Sequence, residues 1–504
     1  MRHPVWKESL TGSLIKKNEA KDERKNTTPA KTNHPGFIKK AAIVGGGLIA
    51  AGAAGRQIYN LMGRNFQPDR AKAYLEGIQP CPSPQTLPNI IIIFCDDLGT
   101  GDLESPVIRT PNLKRMAAEG TSLTEFYASA SVCSPSRAGL LTGRYPVRTL
   151  ISTPLLSTHN PLNIVMDLLG RYSYNVQGIP RDELLLPQVL QRRGYRTALM
   201  GKWHLGGTPG YLPNDCGFDS FYGALWSNDD HPYAIYRDRQ VELPAPADQD
   251  VLTHNFTLEA QAFIQSNKDY PFFLYLAHAM PHFPVHASAA FRGKSAAGLY
   301  GDVIEEIDWS VGQILHTLEQ LGLDDRTLVI FSVDHGPWMQ GNPGNRRGRK
   351  LEWFEGGFRV PFIARWPGVI PAGVTNPGMS INYDAFVTCL QMAGIDPPQD
   401  RLIDGKNILP LLKGEAPSPH DTFFFYDTRT LVAVRHQHWK YIRRHLTDIA
   451  PYWPTKQGPF LFDLDTDPNE SYSLVESQPE RAAQLSAMLA DFEKEMKANL
   501  RGWL

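Results

Sequence analysis

The sequence predicts an α/β fold: a doubly wound, mostly parallel sheet sandwiched by helices, followed by a smaller C-terminal domain of antiparallel sheet plus helix. Three observations support this prediction. Four runs of residues are mostly apolar without polar alternation, which is typical of strands buried on both faces of a parallel sheet. Helical segments separate these runs along the chain. Short β-type runs near hairpin spacing follow residue 413.

The four apolar runs define the centre of the predicted sheet. They span residues 89–95, 196–200, 272–276 and 328–333. Between them, helices are predicted over 110–119, 183–193, 252–266 and 300–321. Because strands and helices alternate over this stretch, we assign residues 89–412 to one catalytic domain.

The last part of the chain has a different pattern. Strands are predicted over 422–426, 431–434, 438–443 and 459–464. One apolar face at helical spacing then predicts an amphipathic helix packed back on the protein, formed by Leu485, Met488, Leu489, Phe492 and Met496. Residues 413–504 are therefore expected to form a small α+β domain that buttresses one wall of a site.

Composition excludes several classes of protein. The chain has 504 residues and is 42% hydrophobic, so wholesale disorder is excluded. Because 51 Lys+Arg balance 52 Asp+Glu, nothing global indicates a nucleic-acid partner. Five cysteines, at positions 81, 95, 133, 216 and 389, are too scattered for a disulfide framework or a zinc site.

The N-terminus differs in charge from the rest. Residues 1–40 hold ten Lys/Arg against four Asp/Glu, and they are predicted to be a basic, disordered tail. Residues 41–58 follow as a signal-like or anchoring apolar segment, because the uncharged run 41–55 is shorter than the roughly 20 residues that span a bilayer. Residues 59–88 are predicted to be a linker. Export is expected, to the periplasm, the medium or a secretory pathway, with membrane anchoring by 41–55 as the alternative.

The apolar segment also carries a glycine pattern typical of dinucleotide-binding turns. It runs from Ile43 to Ala50, and Asp69 lies about twenty residues further on. No second strand precedes Asp69, so the export or anchor interpretation is favoured over a nucleotide site.

Polar residues follow each of the four predicted core strands. Ligands of doubly wound sheets bind at the carboxyl ends of the strands, so these residues are expected to converge. Carboxylates with one histidine suit Ca²⁺ or Mg²⁺, and this set comprises Asp96, Asp97, Asp334 and His335. Cationic and donor groups around them would clamp a tetrahedral oxyanion, and this set comprises Arg137, Lys202, His204 and His282. The expected substrate is an anionic ester.

Each of these residues taken singly is more often structural, since Asp pairs commonly cap turns and loop Lys or His residues are usually solvated. Their occurrence in register after four strands favours a functional site. Four other histidines have no such support and keep a structural interpretation: His159, His231, His278 and His286.

The segment Val132–Arg144, VCSPSRAGLLTGR, resembles the sulfatase signature C-x-P-S-R followed by L-T-G-R. Further motifs of the arylsulfatase branch occur in order across residues 89–370: DDLG with GD, TPNL, GKWHLG, PHFP, DHG, and Lys350 before EGG. The signature together with these ordered motifs is specific, whereas P-S-R alone would not be. The resemblance is to formylglycine-dependent sulfatases of the alkaline phosphatase superfamily.

This resemblance implies a mechanism for the site. Cys133 would be oxidised by a maturation enzyme to formylglycine (3-oxoalanine), a hard oxygen nucleophile once hydrated. Ca²⁺ would bind the matured residue 133 together with Asp96, Asp97, Asp334 and His335, where many relatives have Asn in place of His335. Arg137 and Lys202 would stabilise the aldehyde hydrate and sulfate, and His204 would assist breakdown. His282 would protonate the leaving oxygen, and Lys350 would hold a sulfate oxygen, so that Lys202, His282 and Lys350 bind the substrate.

Two other functions stay open at this point. A formylglycine-dependent phosphonate monoester or phosphodiester hydrolase shares the signature, and an unoxidised Cys133 would leave a non-catalytic binder of sulfated glycans. The substrate is expected to be a sulfated small molecule or glycan, with no nucleic acid involved. Loops 227–231 and 338–349 are the candidate pocket walls. Arg346, Arg347 and Arg349 either meet a second acidic group on the substrate or form a solvated basic loop.

Overall fold

The computed structural model describes residues 68–157, 178–231, 233–446 and 457–504. The predicted tail 1–40, the apolar segment 41–58 with its glycine pattern, and His159 lie outside these residues. The chain divides into two units, residues 1–62 and 63–504, and the architecture below is that of the second. Among the helices of the described stretches, none is long and apolar enough to cross a lipid bilayer.

A ten-stranded mixed sheet forms the centre of the fold, in the order β11-β2-β10-β9-β1-β8-β4-β5-β6-β7. Its strands are β1 (Asn89–Cys95), β2 (Thr121–Leu123), β4 (Arg196–Lys202), β5 (Ser220–Ala224), β6 (Ile235–Arg237), β7 (Gln240–Leu243), β8 (Phe272–Ala277), β9 (Thr327–Val333), β10 (Phe362–Arg365) and β11 (Val374–Asn376). A separate pair joins β3 (Phe126–Tyr127) to β12 (Ser380–Ile381).

The five central strands, β9, β1, β8, β4 and β5, are mutually parallel. Every residue of β1 is buried, so both faces of the sheet are covered at its centre. Antiparallel strands extend the sheet on both sides, with β10 beside β9 and β6 beside β5. This arrangement confirms the predicted fold class and the four predicted core strands.

Helices pack on the sheet, and two of them, Leu186–Arg193 and Leu252–Ser266, contact β4. The helices are α1 (Pro68–Gly77), α2 (Thr100–Leu103), α3 (Pro111–Ala118), α4 (Cys133–Thr142), α5 (Leu186–Arg193), α6 (Leu252–Ser266), α7 (Gly298–Leu321), α8 (Glu355–Phe358), α9 (Asp384–Met392), α10 (Leu409–Leu412) and α11 (Pro479–Ala498). Short 3₁₀ helices lie at Pro84–Thr86, Pro146–Thr149, Pro213–Cys216 and Asp324–Arg326. The four predicted core helices correspond to α3, α5, α6 and α7, and α1 lies inside the segment predicted to be a linker.

The C-terminal sheet is a four-stranded antiparallel meander, as predicted. It comprises β13 (Thr422–Asp427), β14 (Thr430–His436), β15 (Trp439–Ile442) and β16 (Phe460–Asp463). Helix α11 packs on β14 and β15. Its predicted apolar face is confirmed: Leu485, Leu489 and Met496 are buried, and Met488 and Phe492 pack against the same core. The predicted domain boundary near residue 413 stays a prediction.

A buried ion cluster connects the C-terminal sheet to α8. Lys440 of β15 lies 3.0 Å from Glu355 Oε1 and 2.9 Å from Glu470 Oε1, and all three side chains are fully buried. Burial raises the pKa of Glu355, but Lys440 and neighbouring arginines lower it to about 2. Burial and the adjacent Glu355 raise the pKa of Glu470 to about 7. One ammonium group therefore compensates the charge of Glu355 while Glu470 holds a proton more readily.

We expect Lys440→Met to lower the free energy of unfolding by about 3–5 kcal/mol, because it leaves the Glu355 carboxylate buried without its counter-ion. Denaturant or thermal unfolding followed by circular dichroism measures the change. Lys114→Met, at an exposed position on α3, is the matched control and should change stability little. Equal stability of the two variants would contradict the assigned role of Lys440.

Candidate active site

Cys133 is the first residue of α4, after an extended Val132. The whole of α4 is buried, and Gly143 ends the helix in the left-handed conformation that glycine favours. Burial alone would raise the pKa of the Cys133 thiol. Lys202, Lys350 and His335 instead hold this pKa well below its ordinary value. Cys133 is therefore a buried thiol in a strongly cationic environment, unlike a structural core cysteine.

Three acidic residues and a histidine lie directly after β1 and β9. These strands are parallel neighbours with Cys95 opposite Val333, so Asp96 and Asp334 emerge side by side. His335 Nε2 lies 3.4 Å from Asp334 Oδ1 and 3.4 Å from Cys133 Sγ. Asp97 adopts a positive φ of 67° and turns toward Lys350, which donates to its two carboxylate oxygens at 2.9 and 3.1 Å. The convergence expected from the sequence is present.

These residues fit a divalent cation. One ligand atom each of Asp96, Cys133, Asp334 and His335 lies within 4.8 Å of all the others, and all four residues are buried. Within the described part of the chain, Asp96 Oδ1 is buried and has no hydrogen-bond partner. His335 Nδ1 donates to the carbonyl of Gly336 at 2.9 Å, and this hydrogen bond directs Nε2 toward Asp334 and Cys133, where it could bind a cation after losing its proton. Burial and the neighbouring Asp96 raise the pKa of Asp334 to about 7, although His335 and Arg137 lower it. A cation bound beside Asp334 would favour its ionised form.

Arg137 and Lys202 supply part of the compensating charge, and both are fully buried. The Arg137 guanidinium lies 3.0 Å from Asp334 Oδ2 and 3.3 Å from Asp96 Oδ2. Lys202 forms an ion pair with Asp96 and donates to Ser227 Oγ at 3.2 Å. The two cations therefore hold the Asp96 and Asp334 carboxylates in position.

His204 lies close to Cys133, in the strained left-handed region with φ 60°. Its Nε2 donates to the carbonyl of Leu155 at 2.8 Å, while Nδ1 has no hydrogen-bond partner within the described residues. Burial and Lys202 lower the pKa of His204. The ring is therefore neutral, and its Nδ1 lone pair can accept a proton.

The pKa of His282 is shifted in the opposite direction to that of His204. Its Nδ1 donates to Asn228 Oδ1 at 2.8 Å and to the carbonyl of Phe283 at 2.7 Å, and Nε2 lies 3.7 Å from Asp97 Oδ2. Burial and Lys350 oppose a charge on the ring, but Asp97 and Asp96 raise the pKa of His282 above its ordinary value. The site thus combines a histidine that holds its proton more readily, His282, with one that holds it less readily, His204.

Other histidines lie outside this arrangement. His278 is buried beside Ser310 at 3.1 Å, and burial lowers its pKa to about 4. His286 pairs with Asp250 at 2.8 Å, and His231 is exposed.

The sequence did not single out two supporting groups. Asn228 orients His282, and it falls in a loop after β5 that the sequence marked only as a pocket wall. The Leu155 carbonyl fixes the His204 tautomer, and a backbone group has no residue type to reveal it. The position of Asn228 beyond the carboxyl end of a parallel strand was the available signal.

Comparison with known proteins agrees with this geometry. A family model described as Sulfatase matches residues 88–395, and one described as N-sulphoglucosamine sulphohydrolase, C-terminal, matches residues 349–498. N-acetylgalactosamine-6-sulfatase of Mus musculus is 36% identical over 477 residues, which cover 84% of this chain and 89% of the relative. Steryl-sulfatase of Homo sapiens is 31% identical over 518 residues, with coverage of 80% and 87%.

A solved structure gives the same result. It is a chain from a Bacteroides thetaiotaomicron locus for the metabolism of multiple glycosaminoglycans, and it is 27% identical to this protein with a TM-score of 0.70. The match covers 81% of this chain and 99% of that one. The resemblance inferred from the ordered motifs is confirmed.

The cation fit makes a prediction that needs no activity. Adding Ca²⁺ to chelator-treated protein should raise the thermal unfolding midpoint, because a ligand at 100 times its Kd stabilises the folded state by about 2.7 kcal/mol. Differential scanning fluorimetry measures the shift. Asp334→Asn should abolish most of it, while Asp269→Asn, an exposed carboxylate on another part of the surface, should retain it. A shift of the same size in Asp334→Asn would show that Ca²⁺ binds elsewhere.

Proposed function

Because this chain belongs to the sulfatase family and is a sulfuric ester hydrolase, we propose that it hydrolyses sulfate esters of a sulfated glycan, using Cys133 after oxidation to formylglycine. One observation carries the proposed mechanism: the Cys133 sulfur lies 3.4 Å from His335 Nε2, in the same buried cluster as Asp96 and Asp334 at the ends of β1 and β9. A residue at this point faces both a cation site and a set of oxyanion-binding groups.

Oxidation of Cys133 would provide a nucleophile suited to attack on sulfur(VI). A thiol is a soft nucleophile that is poorly matched to sulfur(VI), whereas a hydrated aldehyde at the same position supplies a hard oxygen nucleophile. A maturation enzyme would carry out this oxidation of the cysteine. Ca²⁺, held by Asp96, Asp97, Asp334 and His335, would supply positive charge that lowers the pKa of an adjacent hydroxyl group and polarises a sulfate oxygen.

The two histidines divide the proton transfers. Cleavage of the ester S–O bond leaves an alkoxide-like oxygen, and His282 donates its Nε2 proton to that oxygen. Asn228 and the Phe283 carbonyl hold the ring by Nδ1, so that Nε2 stays directed into the site. His204, neutral and beside residue 133, accepts the proton of the second hydroxyl group of the residue 133 hydrate as sulfate is released and the aldehyde is restored. We assign His282 the acid role and His204 the base role.

The cations bind the sulfate and hold the site together. Lys350 bridges to Asp97 and lies at the entrance, where its ammonium group can contact a sulfate oxygen. Lys202 and Arg137 are committed to Asp96 and Asp334, so they also keep these carboxylates in place for the cation. Together these charges offset the negative charge that accumulates as the ester bond breaks.

A glycan is the proposed substrate class. The relative with 36% identity is named for sulfated N-acetylgalactosamine, and the neighbouring solved structure comes from a glycosaminoglycan locus. The steryl-sulfatase relative is less similar, at 31%. Export also stays a proposal, because the apolar segment 41–58 lies outside the described residues.

Maturation and activity are tested together. In protein co-expressed with a formylglycine-generating enzyme, the peptide that contains residue 133 should lose one sulfur and two hydrogens and gain one oxygen by mass spectrometry. Such protein should hydrolyse 4-nitrophenyl sulfate, and Cys133→Ala should lower kcat at least about a thousandfold because the nucleophile is removed. Cys81→Ala, a partly exposed cysteine outside the site, is the control and should keep full activity.

Two results would contradict this proposal. Undiminished hydrolysis by Cys133→Ala would exclude residue 133 as the nucleophile. A higher kcat/KM for bis(4-nitrophenyl) phosphate or an aryl phosphonate than for the sulfate would favour the phosphonate monoester or phosphodiester hydrolase instead.

A further inference from the structure

A second pocket opens beside the site, with Lys350 as a shared wall. Its volume is about 500 Å³, and its lining includes Trp338, Arg346, Arg347, Arg349, Glu352 and Phe354. Pockets of roughly 300–1,000 Å³ are typical of small-molecule sites. Lys350 also donates to Asp97, so the same lysine links this pocket to the place where the sulfate group would bind.

The pocket is strongly cationic, but most of its cations already have partners. Arg347 lies 3.9 Å from the centre of the Phe354 ring and donates to the carbonyl of Glu470 at 3.1 Å. Arg349 donates to the carbonyls of Trp338, at 3.0 Å, and of Gly341. These two arginines therefore shape the wall of the pocket.

Arg346 differs from its neighbours. It lines the pocket and is half-buried, yet it forms no hydrogen bond or ion pair with any residue in the described ranges of the chain. Burial lowers the pKa of Arg346, and the nearby Arg359 lowers it further. Glu355 and Glu104 act on Arg346 only from a distance, without forming an ion pair with it. A partly desolvated guanidinium in this setting is stabilised when an anion binds it directly.

The loop that carries Arg346 has a defined shape. Gly344 and Gly348 adopt positive φ values of 72° and 85°, which a side chain would strain. A Cβ atom at Gly348 would also lie 2.7 Å from Phe354 Cβ, so the loop packs closely on its neighbour. The position of Arg346 is thus set by the fold.

We propose that this pocket binds the sugar unit next to the hydrolysed sulfate, and that Arg346 recognises a second anionic group on that unit, either a carboxylate or another sulfate. The proposal rests on the function proposed above and narrows it to glycans with at least two anionic groups. The guanidinium fork matches either oxyanion with two hydrogen bonds. Trp338 forms a flat apolar wall on which a sugar ring can pack.

Binding is tested without turnover in Cys133→Ala protein by titration calorimetry. The probe is a disaccharide of glucuronate linked to N-acetylgalactosamine 6-sulfate, and it is compared with its carboxyl-reduced form and with a form that carries sulfate in place of the carboxylate. We expect the charged probe to bind about tenfold more tightly than the reduced one, because only the charged probe forms charge-assisted hydrogen bonds with the Arg346 guanidinium. The sulfate-bearing form identifies which of the two anions is preferred.

Arg346→Gln should weaken binding of the charged disaccharide about tenfold and leave the Kd of the reduced form unchanged. Arg192→Gln, an exposed arginine in a different pocket, is the matched control and should change neither Kd. Equal Kd values of the charged and reduced forms in the parent protein would overturn the proposal. A charge preference that survives Arg346→Gln would overturn it as well.

Activity separates this inference from the proposed function. Matured Arg346→Gln should hydrolyse 4-nitrophenyl sulfate within about twofold of the unsubstituted enzyme, because that substrate has no second anion. A fall beyond this range would place Arg346 in the sulfate site and contradict its assignment to the neighbouring sugar. Absence of hydrolysis by the matured, unsubstituted protein would refute the proposed function, whereas the binding comparison would still decide the role of Arg346.

Discussion

The structure depends on a cluster of paired opposite charges buried at the carboxyl ends of β1 and β9. Asp96 and Asp334 are fully buried, and the register of the two parallel strands places them side by side. Arg137 and Lys202 pair with these two carboxylates, yet one oxygen of Asp96 has no hydrogen-bond donor among the described residues. A cation bound there would contact this free oxygen, and the same group of charges surrounds residue 133. The proposed cation site and the proposed nucleophile are thus two consequences of one electrostatic arrangement.

A second buried charge cluster stabilises the wall of the site. Lys440 comes from the C-terminal sheet, whereas Glu355 begins α8, five residues after Lys350. Glu470 also accepts a hydrogen bond from the Glu355 backbone N–H at 2.6 Å. The C-terminal sheet therefore holds the segment that carries the entrance lysine and the basic pocket. This contact gives a physical basis to the expected buttressing role of the C-terminal residues.

Much of the fold could be predicted because the central strands are continuous apolar runs, which leave little ambiguity about burial. The convergence of Asp96, Lys202, His282 and Asp334 followed from parallel strands ending at one edge of the sheet. The sequence could not show that Asn228 orients His282, since 54 positions separate them and the contact depends on loop conformation. It also left Arg346 undecided between a substrate contact and a solvated loop, because only the structure reveals which arginines already have partners.

The central claim is that one hard cation lies beside an oxidised residue 133, held by the carboxylates that follow β1 and β9. The most direct test is a high-resolution crystal structure of matured protein grown with Ca²⁺. The account predicts one ion with oxygen ligands at about 2.3–2.6 Å from Asp96, Asp97, Asp334 and residue 133. Density for an aldehyde or its hydrate at residue 133 should accompany that ion. An unmodified cysteine at residue 133 in active crystals, or an ion bound away from these carboxylates, would contradict the account.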